Sequence, residues 1–153
     1  MKKFMMSKKF NKTSFSDFNL YEKDGKYYSK YDGSEWIPCF LYDFGWGREN
    51  GFYKVPLGDF PDLIKIVLDK SDKEDSYAAA SIIVDIYALE LKSFLLDLIN
   101  SYNKSIDYAR LNSIFNLDVP LNRTLNDEMN LQSIEKEYSD WKYISQYFKQ
   151  IKK

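Results

Sequence analysis

The residue pattern of this chain changes at Gly58, and that change limits the folds it can adopt. Before Gly58, glycines alternate with short runs rich in aromatic residues; after it no glycine occurs, and proline is confined to Pro61 and Pro120. Apolar residues then recur with a helical period. The sequence predicts an α+β fold, with an N-terminal antiparallel β-meander (14–56) packed on a C-terminal bundle of four or five helices (59–151). A length of 153 residues predicts a single domain over 1–153.

Two hairpins are expected in the first part. Asp24-Gly25 separates the β-prone runs 18–21 and 26–31, and both positions of such a turn need positive φ. A second pair of strands, 36–44 and 52–55, flanks an expected loop at 45–51. Pro38 removes one ladder hydrogen bond and indicates an edge position or a strand start. We expect three to five strands, preceded by a basic, frayed N-terminal arm.

Helix signals follow Gly58. Asp59 is expected to cap a short helix with Pro61 in its first turn, and Ser71 with Glu74 fits a capping box. Segment 77–100 is expected to form two helices broken near 85–89. A further short helix is expected from Ser105 to 115 and a final one from Ser133. Their apolar stripes predict these core positions: Leu91, Phe94, Leu95, Leu98, Ile99 and Tyr102, then Ile134, Tyr138, Trp141, Ile144, Phe148 and Ile151.

Composition disfavours several classes of function. The chain has no histidine and one cysteine, Cys39, so the residue most used for acid–base catalysis is missing and zinc ligands are scarce. We predict no catalytic set, no metal and no cofactor, and an inert thiol at Cys39. Charged residues within 77–100 argue against a membrane span. A cytoplasmic protein is predicted.

Charge is unevenly distributed. Residues 1–30 hold eight lysines and three acids, a balance of +5, whereas residues 31–153 have a balance of −6. The basic arm has no arginine and no nucleic-acid-binding motif, so no nucleic acid partner is predicted. Aromatic residues make up 18% of the chain, and tyrosine, tryptophan and arginine are the usual anchors of protein interfaces. These features favour a protein-binding module over an enzyme.

Two regions are candidate partner-binding sites. The expected loop at 45–51 carries possible anchors, and a dense acidic run begins near the end of the first helix. The candidate contact residues are Trp46, Arg48, Glu49, Asp69, Asp72, Glu74 and Asp75. We expect Trp46→Ala, or a combined Asp72/Glu74/Asp75→Ala change, to weaken partner binding and leave the fold intact.

Three segments carry a resemblance to a known family. Residues 76–83 (SYAAASII), 89–96 (LELKSFLL) and 141–144 (WKYI) resemble small immunity proteins of bacterial polymorphic-toxin systems. The resemblance covers about half of the chain and rests mainly on helix-core positions. It implies a cytoplasmic protein that binds and blocks one cognate protein toxin, and it assigns no binding residue.

Two other functions remain open from the sequence. Glu35 beside Trp36, with Asp43 and Glu49 around Trp46, would suit a carbohydrate- or small-ligand-binding domain or enzyme. Alternatively, the aromatic surface would serve a structural homo-oligomer subunit.

Overall fold

The computed structural model describes residues 3–6, 18–43, 47–120, 123–124 and 128–151, without the side chains of 5, 6, 40–43 and 47–50. An antiparallel sheet followed by helices confirms the α+β class. The chain divides into two compact units, 1–81 and 82–153. The first, here the sheet unit, also contains the first helix and most of the second. The second is the helical unit.

The sheet has five strands in the order β1-β5-β4-β3-β2, and every neighbouring pair is antiparallel. The strands are β1 (Phe4–Met6), β2 (Leu20–Lys23), β3 (Lys26–Ser29), β4 (Glu35–Asp43) and β5 (Gly47–Lys54). Strands β2 to β5 form the predicted meander. β1 pairs with β5 and forms the edge of the sheet next to this meander. The prediction of a frayed N-terminal arm is therefore wrong for Phe4–Met6, where Phe4 is buried.

The β2–β3 hairpin turns where the sequence predicts. Asp24 and Gly25 both have positive φ, at 54° and 79°. Across the hairpin and its neighbours, Leu20, Trp36 and Phe52 form a buried cluster against which Phe18 and Tyr27 pack. The residues next to Trp36 and Phe52 along β4 and β5 are partly or fully buried, so this part of the sheet is covered to some extent on both faces.

The predicted loop at 45–51 is wrong over most of its length. Residues 47–51 belong to β5, with Arg48 opposite Tyr42 and Glu49 opposite Leu41. Glycine and asparagine here occupy strand positions, because pairing along the long β4 overrides their weak β-propensity.

Pro38 lies in β4, an interior strand, but at a position where β4 has no pairing with β3. The carbonyl of Glu35 accepts from the amide of Val55, so Glu35 directs its backbone groups toward β5. Three positions later, Pro38 faces the opposite side. There β3 pairs with β4 only at Glu35 and Trp36. The missing N–H of Pro38 therefore costs no described ladder bond.

Five helices follow: α1 (Phe60–Leu68), α2 (Lys73–Ile86), α3 (Ala88–Asn100), α4 (Tyr108–Phe115) and α5 (Leu131–Phe148). Asp59 precedes α1 and Pro61 lies in its first turn, as predicted. The predicted break within 77–100 is confirmed at Tyr87. The capping box is predicted to begin at Ser71, but α2 begins at Lys73. The side chain of Asp72, the residue before the helix, accepts a hydrogen bond from the amide of Asp75. Helices α4 and α5 are capped by Asp107 and Asn130.

The periodicity predicts the core of the helical unit in part. Six of the predicted positions are buried, two are exposed, and the remaining four are partly buried: Phe94, Ile99, Ile134 and Ile151. The fully buried large side chains of this unit include Leu91, Leu95, Leu111, Leu117, Trp141, Ile144 and Phe148. Tyr102 and Tyr138, both predicted as core residues, are instead exposed. Tyr102 lies beyond the end of α3, so the helical period that placed it in the core no longer applies.

Candidate functional site

Four tyrosines from different parts of the helical unit lie near one another. Tyr102 follows α3, Tyr108 lies in α4, and Tyr143 and Tyr147 are one turn apart in α5. Tyr102 is 70% exposed and Tyr143 is 49% exposed, whereas Tyr108 is buried beneath the Tyr102 ring. We refer to Tyr102, Tyr143 and Tyr147, with Tyr108 as their base, as the tyrosine surface.

The segment after α3 is held so that Tyr102 projects over Tyr108. Ser101 adopts an extended conformation, which ends the helix. The Tyr108 hydroxyl donates to the Leu98 carbonyl (3.0 Å) and accepts from the Asn103 amide (2.9 Å). With both roles of the hydroxyl used, the buried phenol is satisfied and the segment is pinned at both ends. The rings of Tyr102 and Tyr108 then stack with centroids 5.0 Å apart.

The base of the surface is a packed aromatic cluster. The Tyr108 ring lies 6.2 Å from both Tyr147 and Phe148, centroid to centroid, and these two rings meet edge to face. Burial, together with the phenols of Tyr108, Tyr102 and Tyr143, raises the pKa of Tyr147. The phenol therefore stays neutral at physiological pH, when it can both donate and accept a hydrogen bond.

An open concavity of about 630 Å³ adjoins Tyr102. Phe94, Leu98 and the Tyr102 ring supply apolar walls, while Asp97 and Lys104 place one charge of each sign at its margin. A concavity with apolar walls and few polar groups is suited to an inserted side chain.

The outward side of α3 continues from this concavity and is acidic. Leu89, Glu90, Ser93 and Asp97 are exposed along it. The one cation of α3, Lys92, is turned inward, so the exposed charges of this helix are all negative. We call this the acidic face of α3.

Lys92 fixes α3 to α5. Its ammonium lies 2.7 Å from carboxylate oxygens of both Glu137 and Asp140. Burial opposes ionisation of the two carboxylates, but hydrogen bonds and charge from Lys92 outweigh it, so the pKa of each acid is lowered. The elements that carry the tyrosine surface and the acidic face are thereby held together.

The same network anchors the connector before α5. Thr124 donates to Glu137 and accepts from the Trp141 indole at 3.0 Å. Arg123 lies over the Trp141 ring, 5.0 Å from its centroid, and donates to the carbonyls that end α4. Burial lowers the pKa of Arg123 to about 10. Trp141, predicted as a core residue, is thus also the centre of a polar network.

The residues predicted at 46–49 are only partly described. Trp46 lies outside the described residues. Arg48 and Glu49 are neighbours in β5, and their side chains are outside the described part. Their roles in binding stay predictions.

The predicted acidic run is close together in space but largely occupied by local structure. Asp69 accepts from the Ser71 amide and Asp72 from the Asp75 amide, while Glu74 is partly buried. Asp75 is only 4% exposed and accepts the amides of Lys3 (2.7 Å) and Phe4 (3.0 Å). The assignment of Asp75 to a partner-binding surface is therefore wrong, because its buried carboxylate binds backbone amides at the start of β1.

Of the two tryptophans of the alternative carbohydrate site, Trp36 is not exposed to a ligand. Trp36 is buried in the sheet unit, and its indole N–H donates to Ser34. Glu35 is partly exposed, and the side chain of Asp43 is outside the described part. Cys39 is partly buried, and burial raises the pKa of its thiol to about 12, which keeps it protonated and unreactive near neutral pH.

Sequence reasoning missed the tyrosine surface because Tyr102 and Tyr108 fit apolar positions as well as exposed ones. The available signal was the polar run Asn100-Ser101 and Asn103, which favours a helix end and a turn before Tyr108.

Within the described ranges, no three Cys, Asp or Glu side chains are grouped as a metal site would require, and no helix has the length and hydropathy to cross a membrane. Comparison with known protein families, with characterised proteins and with solved structures finds no match.

Proposed function

We propose that this chain is a non-catalytic immunity protein of the cytoplasm, which neutralises a cognate protein toxin by binding it directly through the tyrosine surface. The observation that carries the proposal is the exposed ring of Tyr102, which stacks on the buried ring of Tyr108, with the exposed Tyr143 near Tyr147 on α5. The resemblance of segments 76–83, 89–96 and 141–144 to immunity proteins gives the partner its class.

An exposed ring that is held by stacking, as that of Tyr102 is, suits an interface. Tyrosine brings a large contact area and a hydroxyl, and it loses little conformational freedom when it binds. The Tyr102 ring is already restrained by stacking on Tyr108, so still less freedom is lost on complex formation. The concavity beside it offers a pocket for a side chain of the partner.

The acidic face of α3 favours a basic toxin surface. Glu90 and Asp97 lie exposed on the same helix that leads to Tyr102. Carboxylates beside an aromatic anchor accelerate encounter with a positive surface and reject negative ones. Toxins that act on nucleic acids have such basic surfaces at their active sites.

A binding role also agrees with the chemistry of the described residues. The chain has no histidine, and the thiol of Cys39 is kept protonated by burial. The ionisable network around Lys92 is closed on itself by short ion pairs, which suits a structural role.

Co-expression tests this function. The partner is sought as the C-terminal toxic domain of an exported protein encoded beside this gene. Cells expressing that domain should survive with the wild-type chain and with Tyr31→Ala, and should die with Tyr102→Ala/Tyr143→Ala. Tyr31 is a matched control because it is 80% exposed but lies in the sheet unit.

Each variant is first checked for abundance and thermal midpoint. Both should equal those of the wild type, because the substituted rings are exposed. Failure of the wild-type chain to protect cells from any neighbouring toxic domain would overturn the function. Protection by Tyr102→Ala/Tyr143→Ala equal to that by Tyr31→Ala would overturn the placement of the site.

A further inference from the structure

A row of side chains on α3 joins the acidic face of this helix to the concavity beside Tyr102. Glu90, Phe94 and Asp97 follow one another at intervals of four and three residues, so they lie on the same side of the helix. Glu90 and Asp97 are exposed, while Phe94 and Asp97 also line the concavity. We call Glu90, Phe94 and Asp97 the α3 row.

The two acids of the α3 row have no counter-ion within the protein. Among the residues that the structure describes, neither Glu90 nor Asp97 forms an ion pair. Lys92, the one cation of α3, is buried in the contact with α5. Lys104 also lines the concavity, but it lies beyond the end of the helix. The exposed charges along the row are therefore negative, and a positive surface is their complement.

The shape of the α3 row suits a second helix. Ser93, the exposed residue before Phe94, has a small side chain, so another element can approach closely at the middle of the row. The main-chain groups of α3 bond to one another within the helix, so an extended segment would gain no backbone hydrogen bonds there. A helix satisfies its own main chain and can place its side chains between those of Glu90 and Asp97.

We propose that a basic helix of the toxin packs along the α3 row. Two Lys or Arg side chains of that helix, about seven residues apart, pair with Glu90 and Asp97, which lie about 10 Å apart along the axis of α3. These pairs stay open to solvent, so they act mainly on association. An apolar side chain of the same helix enters the concavity beside Tyr102. The inference rests on the proposed function, because it describes the element by which the toxin is bound.

A bulky residue at the middle of the row tests this contact. Ser93→Trp should weaken binding of the purified toxin domain by about tenfold or more in calorimetry, because the indole occupies the space of the partner helix. Ser93 is exposed, so the variant should keep the wild-type fold. Ser113→Trp is the matched control, since Ser113 is an exposed serine of α4 in the same unit. This control should bind within about twofold of the wild type.

Amide hydrogen exchange of the toxin domain, with and without the chain, identifies the element that covers the row. Added protection is expected in one helix that carries Lys or Arg residues about seven positions apart. Added protection confined to strands or loops of the toxin would overturn the inference. Self-association of the chain that Ser93→Trp abolishes would assign the row to a second copy and would overturn it as well.

The outcome for the α3 row is distinguishable from the outcome for the proposed function. Equal affinities of Ser93→Trp and Ser113→Trp, with weaker binding by Tyr102→Ala/Tyr143→Ala, would overturn the helix contact and leave the toxin-binding function in place. A wild-type chain that binds no neighbouring toxin domain would overturn both.

Discussion

At the scale of single residues, Asp75 illustrates how far the role of a side chain depends on distant partners. Its position near a helix start and its charge are visible in the sequence, and they suggest an exposed acid. Its actual partners are the amides of Lys3 and Phe4, more than 70 positions away. No local pattern signals that pairing, so burial of the carboxylate could not be predicted.

Asp75→Ala should destabilise the sheet unit by about 3 kcal/mol, because two amides would lose a charged acceptor in a buried setting. A combined Asp72/Glu74/Asp75→Ala change should therefore destabilise the fold, contrary to the prediction from the sequence. Urea denaturation measures the effect, with Asp97→Ala as an exposed control expected to stay within about 0.5 kcal/mol. Equal midpoints for Asp75→Ala and Asp97→Ala would contradict the role assigned to Asp75.

At the scale of elements, the sequence predicts those whose start or turn has a specific chemistry. Asp24-Gly25 supplies the positive φ of its hairpin, and Asp59 with Pro61 marks the start of α1. Residues 47–51 look like a loop because of their glycines, yet pairing with β4 makes them a strand. Tyr102 looks like a core position of α3 because no glycine or proline marks the end of that helix, yet the helix ends at Asn100.

The link between α3 and α5 makes a second prediction. Lys92→Met should destabilise the helical unit by about 2–3 kcal/mol at pH 7, because it leaves Glu137 and Asp140 without their common cation; some exposure keeps the cost near the low end for buried pairs. Lys136→Met, which removes only an exposed ion pair with Asp140, should cost less than about 0.5 kcal/mol. Similar losses for both variants would contradict this account.

The dependence of this link on pH follows from the shifted pKa values. The ordinary values of Glu137 and Asp140 are 4.5 and 3.8, and their folded-state pKa values are lower. Their stabilisation is complete above those ordinary values and is lost as the pH falls through the folded-state pKa values. For Lys92 burial opposes the charge, but the two carboxylates raise its pKa above 10.5. Its contribution is complete below 10.5 and lost as the pH rises through the raised value. The difference in free energy of unfolding between the wild type and Lys92→Met should be constant from about pH 5 to 9 and should decrease below about pH 4. A difference that grows below pH 4 would contradict the ion-pair assignment.

At the scale of the whole molecule, the acidic face of α3 should steer the toxin toward the tyrosine surface. Glu90→Gln should lower the association rate at low salt and weaken its dependence on ionic strength, with a smaller effect on dissociation. Glu22→Gln, an exposed acid on β2, should leave both unchanged. Stopped-flow association at several salt concentrations distinguishes the two. Identical salt dependence for both variants would show that α3 does not face the partner.

A homo-oligomer would use the same exposed rings, and solution mass separates it from a toxin-binding monomer. The purified chain should scatter as a particle near 18.2 kDa. A dimer that Tyr102→Ala/Tyr143→Ala dissociates would instead assign the tyrosine surface to contact between copies.

The affinity of the purified toxin domain for Tyr102→Ala/Tyr143→Ala tests the central claim most directly. We expect calorimetry to show a loss of about 2 kcal/mol or more, roughly thirtyfold in Kd, because two interface anchors are removed. Tyr31→Ala should bind within about twofold of the wild type, a difference well below that expected for an anchor. A dissociation constant for the double variant that equals that of Tyr31→Ala would contradict the claim that the tyrosine surface binds the partner.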